Sequence, residues 1–271
     1  MRGKRTGMSR CGVPVSLPYQ GYLMTDVRRP LILAHRGARS THIENTIPAF
    51  HAGIDAGADG IELDLHACST GEIVVIHDGD LNKNLGGSGK PVNETPWSEL
   101  SQVELQAKHL PGQTARVPLL DELITDERMK KAIARGFHLS IEIKDRTISR
   151  QVAQWVLKHH LVKQAVVYSF NMNDLVDVMR ISKTVRTNFL FGEKREENLR
   201  KSLDAGVWSL NPEIADADAD YVARVRASGI ECSIGNSNGE QEMRKALSLG
   251  GWCVHTDHAV DGVRMCEEMF G

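Results

Sequence analysis

Three short apolar runs end in polar residues where a buried strand would stay apolar. The first, residues 31–34, is followed at once by His35, Arg36 and Gly37. The second carries Glu62 and Asp64 on either side of Leu63, and the third carries Glu142 and Lys144 on either side of Ile143. Side chains alternate along a strand, so Glu62 and Asp64 share one face, as do Glu142 and Lys144. Two carboxylates on one buried face repel each other and lose hydration, which raises their pKa unless positive charge lies between them. A divalent cation meets that need. Glu62, Asp64 and Glu142 make an all-oxygen set suited to Mg²⁺ or Ca²⁺, with no nitrogen or thiolate to favour zinc. Ion pairing with Arg36 and Lys144 would serve each acid taken singly, but the whole constellation at strand ends points to a site.

Two imidazoles can flank that cation. His35 ends the first run, and His77 follows another apolar run, residues 73–76, only a few residues after the second strand. So short a link forbids a parallel crossover and requires an antiparallel return. A turn near Ser69 and Thr70 pairs residues whose numbers sum to about 139, bringing His77 beside Glu62 and Val75 beside Asp64. Histidines titrate near neutrality, so one can accept a proton while the other donates one. The other nine histidines, His255 among them, lack a strand-end partner and are assigned to surface or core packing. Arg36 offers a planar fork and Lys144 a point charge, both fitted to phosphate oxygens. A phosphoryl substrate follows.

The elements that must hold these groups read as a repeat. Strand-like runs at 31–34, 60–65, 139–143, 165–169, 187–191, 207–210, 230–234 and 252–256 alternate with helical patterns at 46–56, 119–135, 149–159, 172–181, 196–204, 220–227 and 239–249. Asn45 stands where an N-cap would open the first helix. Eight strands with intervening helices predict a TIM-type (β/α)8 barrel, with the hairpin to His77 rising from its C-terminal rim. Residues 85–118, rich in Gly and Pro, are too long for an ordinary βα loop and read as a small insertion over the barrel mouth. Residues 30–271 then form one domain. The Ala/Asp alternation at 215–220 reads as a helix start.

Composition sets the outer limits. The chain has 271 residues, 41% hydrophobic and 25% charged, as expected of a globular protein with a large core. Its 33 basic and 35 acidic side chains nearly cancel, and no Lys/Arg stripe marks a nucleic-acid surface. Five cysteines at irregular spacing, without a C-x-x-C pair, suit reduced thiols in the cytoplasm. No apolar run approaches the ~20 residues of a membrane span. Residues 1–29 read as a basic, disordered leader, interrupted by Pro14 and Pro18 and so unlike a secretory signal; its first 23 residues are expected to be dispensable for the fold.

In this order the motifs His35-Arg36-Gly37, Glu44-Asn45-Thr46, the run from Gly57 to Asp64, His77-Asp78 and Ile141-Glu142-Ile143-Lys144 resemble the glycerophosphodiester phosphodiesterase family. Ser169-Phe170, Asn236 and Thr256-Asp257 are fainter echoes, so the likeness runs over residues 31–262. The resemblance implies metal-dependent hydrolysis of a small-molecule glycerophosphodiester to sn-glycerol 3-phosphate and an alcohol. It implies His35 and His77 as acid and base, Glu62, Asp64 and Glu142 as metal ligands, and Arg36 and Lys144 as phosphate contacts. Glu44 and Asn45 would buttress the rim, with Glu44 also a candidate substrate contact. The chain departs from the family at Ile43, Lys83, Ala259 and the run Ser233-Ile234-Gly235-Asn236, positions that bear on substrate choice. A lysophospholipid or sphingolipid phosphodiesterase on the same barrel would need an apolar mouth, which residues 85–118 do not supply. A metal amidohydrolase would open with His-x-His, and here Gly37 holds the second position.

Overall fold

The structure is a computed structural model that describes residues 28–81 and 87–271. The chain runs β1 (Leu31–Ala34), α1 (Ile47–Asp55), β2 (Gly60–Ala67), β3 (Ile73–Val75), α2 (Trp97–Leu100), β4 (Glu104–Leu105), β5 (Ala115–Arg116), α3 (Glu122–Thr125) and α4 (Glu127–Ala134). It continues through β6 (His138–Ile143), α5 (Ser149–Lys158), β7 (Ala165–Ser169), α6 (Met172–Ile181), β8 (Arg186–Phe191), α7 (Arg195–Ala205) and β9 (Ser209–Pro212). The last turn of the barrel is α8 (Ala219–Ala227), β10 (Glu231–Ile234), α9 (Glu240–Ser248), β11 (Cys253–Thr256) and α10 (Ala259–Phe270).

Eight of these strands pair in parallel in the order β1-β2-β6-β7-β8-β9-β10-β11, and β11 returns to β1, closing the barrel. Ile61, Leu63 and Leu65 of β2 and Leu139, Ile141 and Ile143 of β6 face outward into the apolar layer beneath the helices. The alternate positions of the same strands, among them Glu62, Asp64, Ser140 and Glu142, are buried too. Burial on both faces is what a parallel barrel strand requires, and polar residues survive it only where they are paired or functional.

Three local expectations are corrected. Thr46, not Asn45, caps α1: its hydroxyl accepts from the Ala49 amide, while Asn45 takes a left-handed φ of 56° and turns its amide elsewhere. The hairpin pairs Leu65 with Val75 and Ala67 with Ile73, so partner numbers sum to 140 rather than 139. The odd residue sits in the turn, whose Gly71 has a φ of 94°. That register alone would send His77 to the Leu63 face. β3 instead ends at Val75, and the chain bends through residues 77–79 and brings His77 back to the barrel mouth. Finally, Arg28 and Arg29 are tied to the barrel's N-terminal face, Arg29 to Asp59 at 2.9 Å and Arg28 to Glu231. The leader expectation fails for those two residues, and its first 27 lie outside the described ones.

The insertion packs as a separate small layer. Val92, Leu100, Leu105 and Val117 bury themselves against Val74 and Ile76, on the hairpin face turned away from the barrel. Residues 118–120 close its edge, with Val75 donating to the Pro118 carbonyl at 2.9 Å and Leu120 to the Ile73 carbonyl at 2.9 Å. The hairpin that carries His77 is therefore held on both sides. Lys83 and the insertion's first residues, Leu85 and Gly86, lie outside the described residues. The strand expected at 207–210 forms two residues later, and α10 adds a helix after β11 where the sequence pattern predicts none. Asp218 caps α8, so the Ala/Asp run is a helix start.

Candidate active site

β2 and β6 are neighbours in the barrel and bring Glu62, Asp64 and Glu142 together, with carboxylate oxygens within 4.8 Å of one another, while β1 on the other side of β2 leads into His35. All three acids are buried. Burial and the charges of Asp64 and Glu142 push Glu62 well above the usual carboxylate range. Burial and Asp64 raise Glu142 to about 7, against the pull of Lys144 at 2.7 Å. Asp64 ends up lowered: burial raises it, but Lys144, Arg36, His77 and a hydrogen bond from Asn45 outweigh that. Two acids pushed up beside a third that is pulled down mark a site short of positive charge. Glu62 Oε1 and Asp64 Oδ1 are buried without a hydrogen-bond donor, the second having only Lys144 Nζ at 3.4 Å. Two orphaned carboxylate oxygens on β2, with Glu142 of the adjacent β6 within 4.8 Å, fit a hard divalent cation.

Each histidine is held by a carboxylate at its inner nitrogen. His35 Nδ1 lies 2.6 Å from Asp257 Oδ1, and His77 Nδ1 lies 2.6 Å from Asp78 Oδ1. A carboxylate only accepts, so Nδ1 carries the proton and Nε2 of each ring is left for the site. For His35 that nitrogen faces Glu62 Oε2 at 3.7 Å and receives Asn236 Nδ2 at 3.2 Å. Burial lowers the pKa of His35, partly offset by Asp257.

The two cations are spoken for, yet still border the opening. Arg36 reaches Glu44 Oε1 at 2.7 Å and Asp64 Oδ2 at 3.3 Å, while its backbone amide donates to Glu62 Oε2 at 3.0 Å. That amide can point inward because Arg36 and Gly37 take left-handed φ values of 54° and 79°. A Cβ at Gly37 would lie 2.6 Å from the Ala49 carbonyl carbon, which is why the motif needs glycine there. Glu44 does not line the opening. It bridges Arg36 to Arg39, and Arg39 reaches Asp257 at 3.5 Å, so a chain of charges runs behind the site back to His35. Asn45, left-handed as well, donates to Asp64 Oδ2 at 2.8 Å and accepts from the Asp64 amide at 3.2 Å.

His35, Arg36, Glu62, His77, Glu142 and Lys144 all border one cavity of about 410 Å³ at the barrel's C-terminal end, the size of a small-molecule site. Asp64 sits beneath it, 1% exposed. Phe170, Leu190 and Phe191 continue the wall along β7 and β8. His255, assigned above to packing, also reaches this cavity from β11; it is buried, with its pKa pushed down to about 3. Asp257, Asp78 and Asn236 are named above only within motifs. Their tasks were unreadable because each depends on a contact made by the folded rim. The one available signal was adjacency, His77-Asp78 and Thr256-Asp257, since an acid next to a histidine or ending a strand can orient an imidazole.

A (β/α)8 barrel with an all-oxygen acid cluster, two carboxylate-held histidines and two cations around one opening has the equipment of a barrel phosphodiesterase. A family model described as the glycerophosphoryl diester phosphodiesterase family matches residues 35–260. The chain belongs to that family and is an enzyme, a phosphoric diester hydrolase. A glycerophosphodiester phosphodiesterase of Caldanaerobacter subterraneus subsp. tengcongensis is 26% identical over 240 residues, covering 84% of this chain and 94% of that one. Among solved structures, a putative glycerophosphoryl diester phosphodiesterase from Silicibacter pomeroyi superposes with a TM-score of 0.77 at 20% identity, covering 89% and 94% of the two chains. A phosphodiesterase of Oleispira antarctica, solved with the product sn-glycerol-3-phosphate, gives 0.75 at 20% identity over 88% and 97%. No helix among the described residues is long and apolar enough to cross a membrane.

Proposed function

We propose that this chain hydrolyses small glycerophosphodiesters to sn-glycerol 3-phosphate and an alcohol in a metal-dependent reaction, with His35 and His77 as the acid–base pair. The observation that carries it is the single cavity bordered by both histidines, both cations and the acid cluster. Glu62, Asp64 and Glu142 hold a Mg²⁺ or Ca²⁺ ion. The bound ion supplies neutralisation of charge on a phosphoryl oxygen. Arg36 and Lys144 hold the remaining phosphate oxygens, each kept in place by the acids behind it. Nε2 of one histidine takes the proton from the attacking oxygen, which is either water, giving sn-glycerol 3-phosphate directly, or the substrate's own glycerol hydroxyl, giving a cyclic phosphate that water then opens. The P–O bond to the alcohol breaks, and Nε2 of the other histidine gives that oxygen its proton. With Nδ1 pinned by Asp257 or Asp78, neither ring needs to turn between accepting and donating.

Glycerophosphocholine and lysophosphatidylcholine are assayed side by side for release of choline, with wild type, His35→Ala and His77→Ala. Turnover of the first substrate and loss of at least a hundredfold in both variants is expected. Full activity in either variant removes that histidine from the pair. Preference for the lysophospholipid would replace the soluble diester as substrate.

A further inference from the structure

Resting on the phosphodiesterase reading, we infer that Glu213 selects substrates whose leaving alcohol is positively charged, a quaternary ammonium or protonated amine. Glu213 follows β9, and in the closed barrel β9 stands four strands from β2 in either direction, diametrically across the mouth from Glu62 and Asp64. It borders the same cavity as the phosphate-side cations Arg36 and Lys144. A diester held by those cations extends its far end toward Glu213.

Three observations suit that end to a cation. Among the described residues, the exposed Glu213 carboxylate forms no ion pair or hydrogen bond; Lys245 donates to the carbonyl of the following residue, Ile214, at 2.7 Å. An unpaired carboxylate at the mouth of a site for an anionic phosphate favours, within the screening of water, a substrate whose alcohol carries a positive charge over one whose alcohol is neutral. The carboxylate is given room by Gly192, where a Cβ would come 3.1 Å from Glu213 Oε1. Between the two poles stand the aromatic rings of Phe170, 62% exposed, and Phe191, and an ammonium beside a carboxylate and a ring face is bound by both. The glycerol hydroxyls, uncharged, gain less from a carboxylate there than an ammonium does.

The test measures kcat/KM of wild type and Glu213→Gln on glycerophosphocholine and on glycerophosphoglycerol, which differ in the charge of the alcohol. The expected result is a preference of wild type for glycerophosphocholine. In Glu213→Gln that substrate loses about fivefold, while glycerophosphoglycerol holds steady or gains up to about twofold as repulsion is removed. Equal losses on both substrates would overturn the inference and assign Glu213 to the shared glycerol. No change on either would overturn it too. Wild type inert on both diesters would instead bring down the phosphodiesterase reading and this inference with it.

Discussion

Metal-free protein should become less stable as pH rises through the range where Glu142 differs between its folded and unfolded forms. In the folded chain this carboxyl ionises at about 7, against a reference of 4.5, because it is buried beside Asp64. Below pH 4.5 it is neutral in both states and makes no difference. Between 4.5 and 7 the folded state keeps a proton that the unfolded state has lost, so stability falls with rising pH, by about 1.4 kcal/mol per unit. Above 7 the group is charged in both states and the full penalty of about 3 kcal/mol remains. Glu142→Gln removes this titration. Urea unfolding of wild type and variant in EDTA, at pH 4.5, 6, 7 and 8, should show the variant gaining relative stability of up to about 3 kcal/mol across that range. Adding Mg²⁺ at pH 8 should restore wild type more than the variant, since the ion supplies the charge that Glu142 lacks. A stability difference that stays flat with pH, or a variant that loses ground at pH 8, would refute the claim that burial and Asp64 govern Glu142.

Other positions carry sharper local consequences. Asp257→Asn leaves His35 Nδ1 without its anionic acceptor and should lower kcat about ten- to a hundredfold with little change in KM. An equal loss confined to KM would show that Asp257 serves binding instead. Asn45→Ala strips Asp64 of a donor to Oδ2 and of the acceptor for its amide, and should weaken divalent-cation affinity about tenfold or more, measured by calorimetric titration. Gly37→Ala sets a side chain against Ala49 in a left-handed turn and should cost about 2–4 kcal/mol in chemical unfolding. A variant as stable as wild type would show that the turn at His35-Arg36-Gly37 relaxes freely.

What was legible in the sequence and what was not divides by range. β1 and β7 fall where their apolar runs stand, and Glu62, Asp64, Glu142 and Lys144 announce themselves as charges inside such runs. Strand alternation is local, so it is readable one residue at a time. The hairpin to His77 was legible in kind, because a short link can only turn back, but its register hung on one extra residue in the turn. Asn45 looked like a cap because caps are local, yet its amide is bound to Asp64, a partner that only the closed rim supplies. The Asp257 contact to His35 spans 222 positions and joins the last strand to the first. Glu44 shows the same limit: its motif was visible, but its placement behind Arg36, bridging to Arg39, depends on the left-handed turn at residues 36–37.

A divalent cation held by Glu62, Asp64 and Glu142 beside two histidines is the centre of the proposed reaction. Its most direct test is the rate of glycerophosphodiester hydrolysis by wild type and Glu62→Ala after EDTA treatment, with Mg²⁺ or Ca²⁺ then added back. Wild type should lose activity in EDTA and regain it with one of the two ions, whereas Glu62→Ala should stay inactive throughout. Turnover that persists without metal, or full activity in Glu62→Ala, would contradict it.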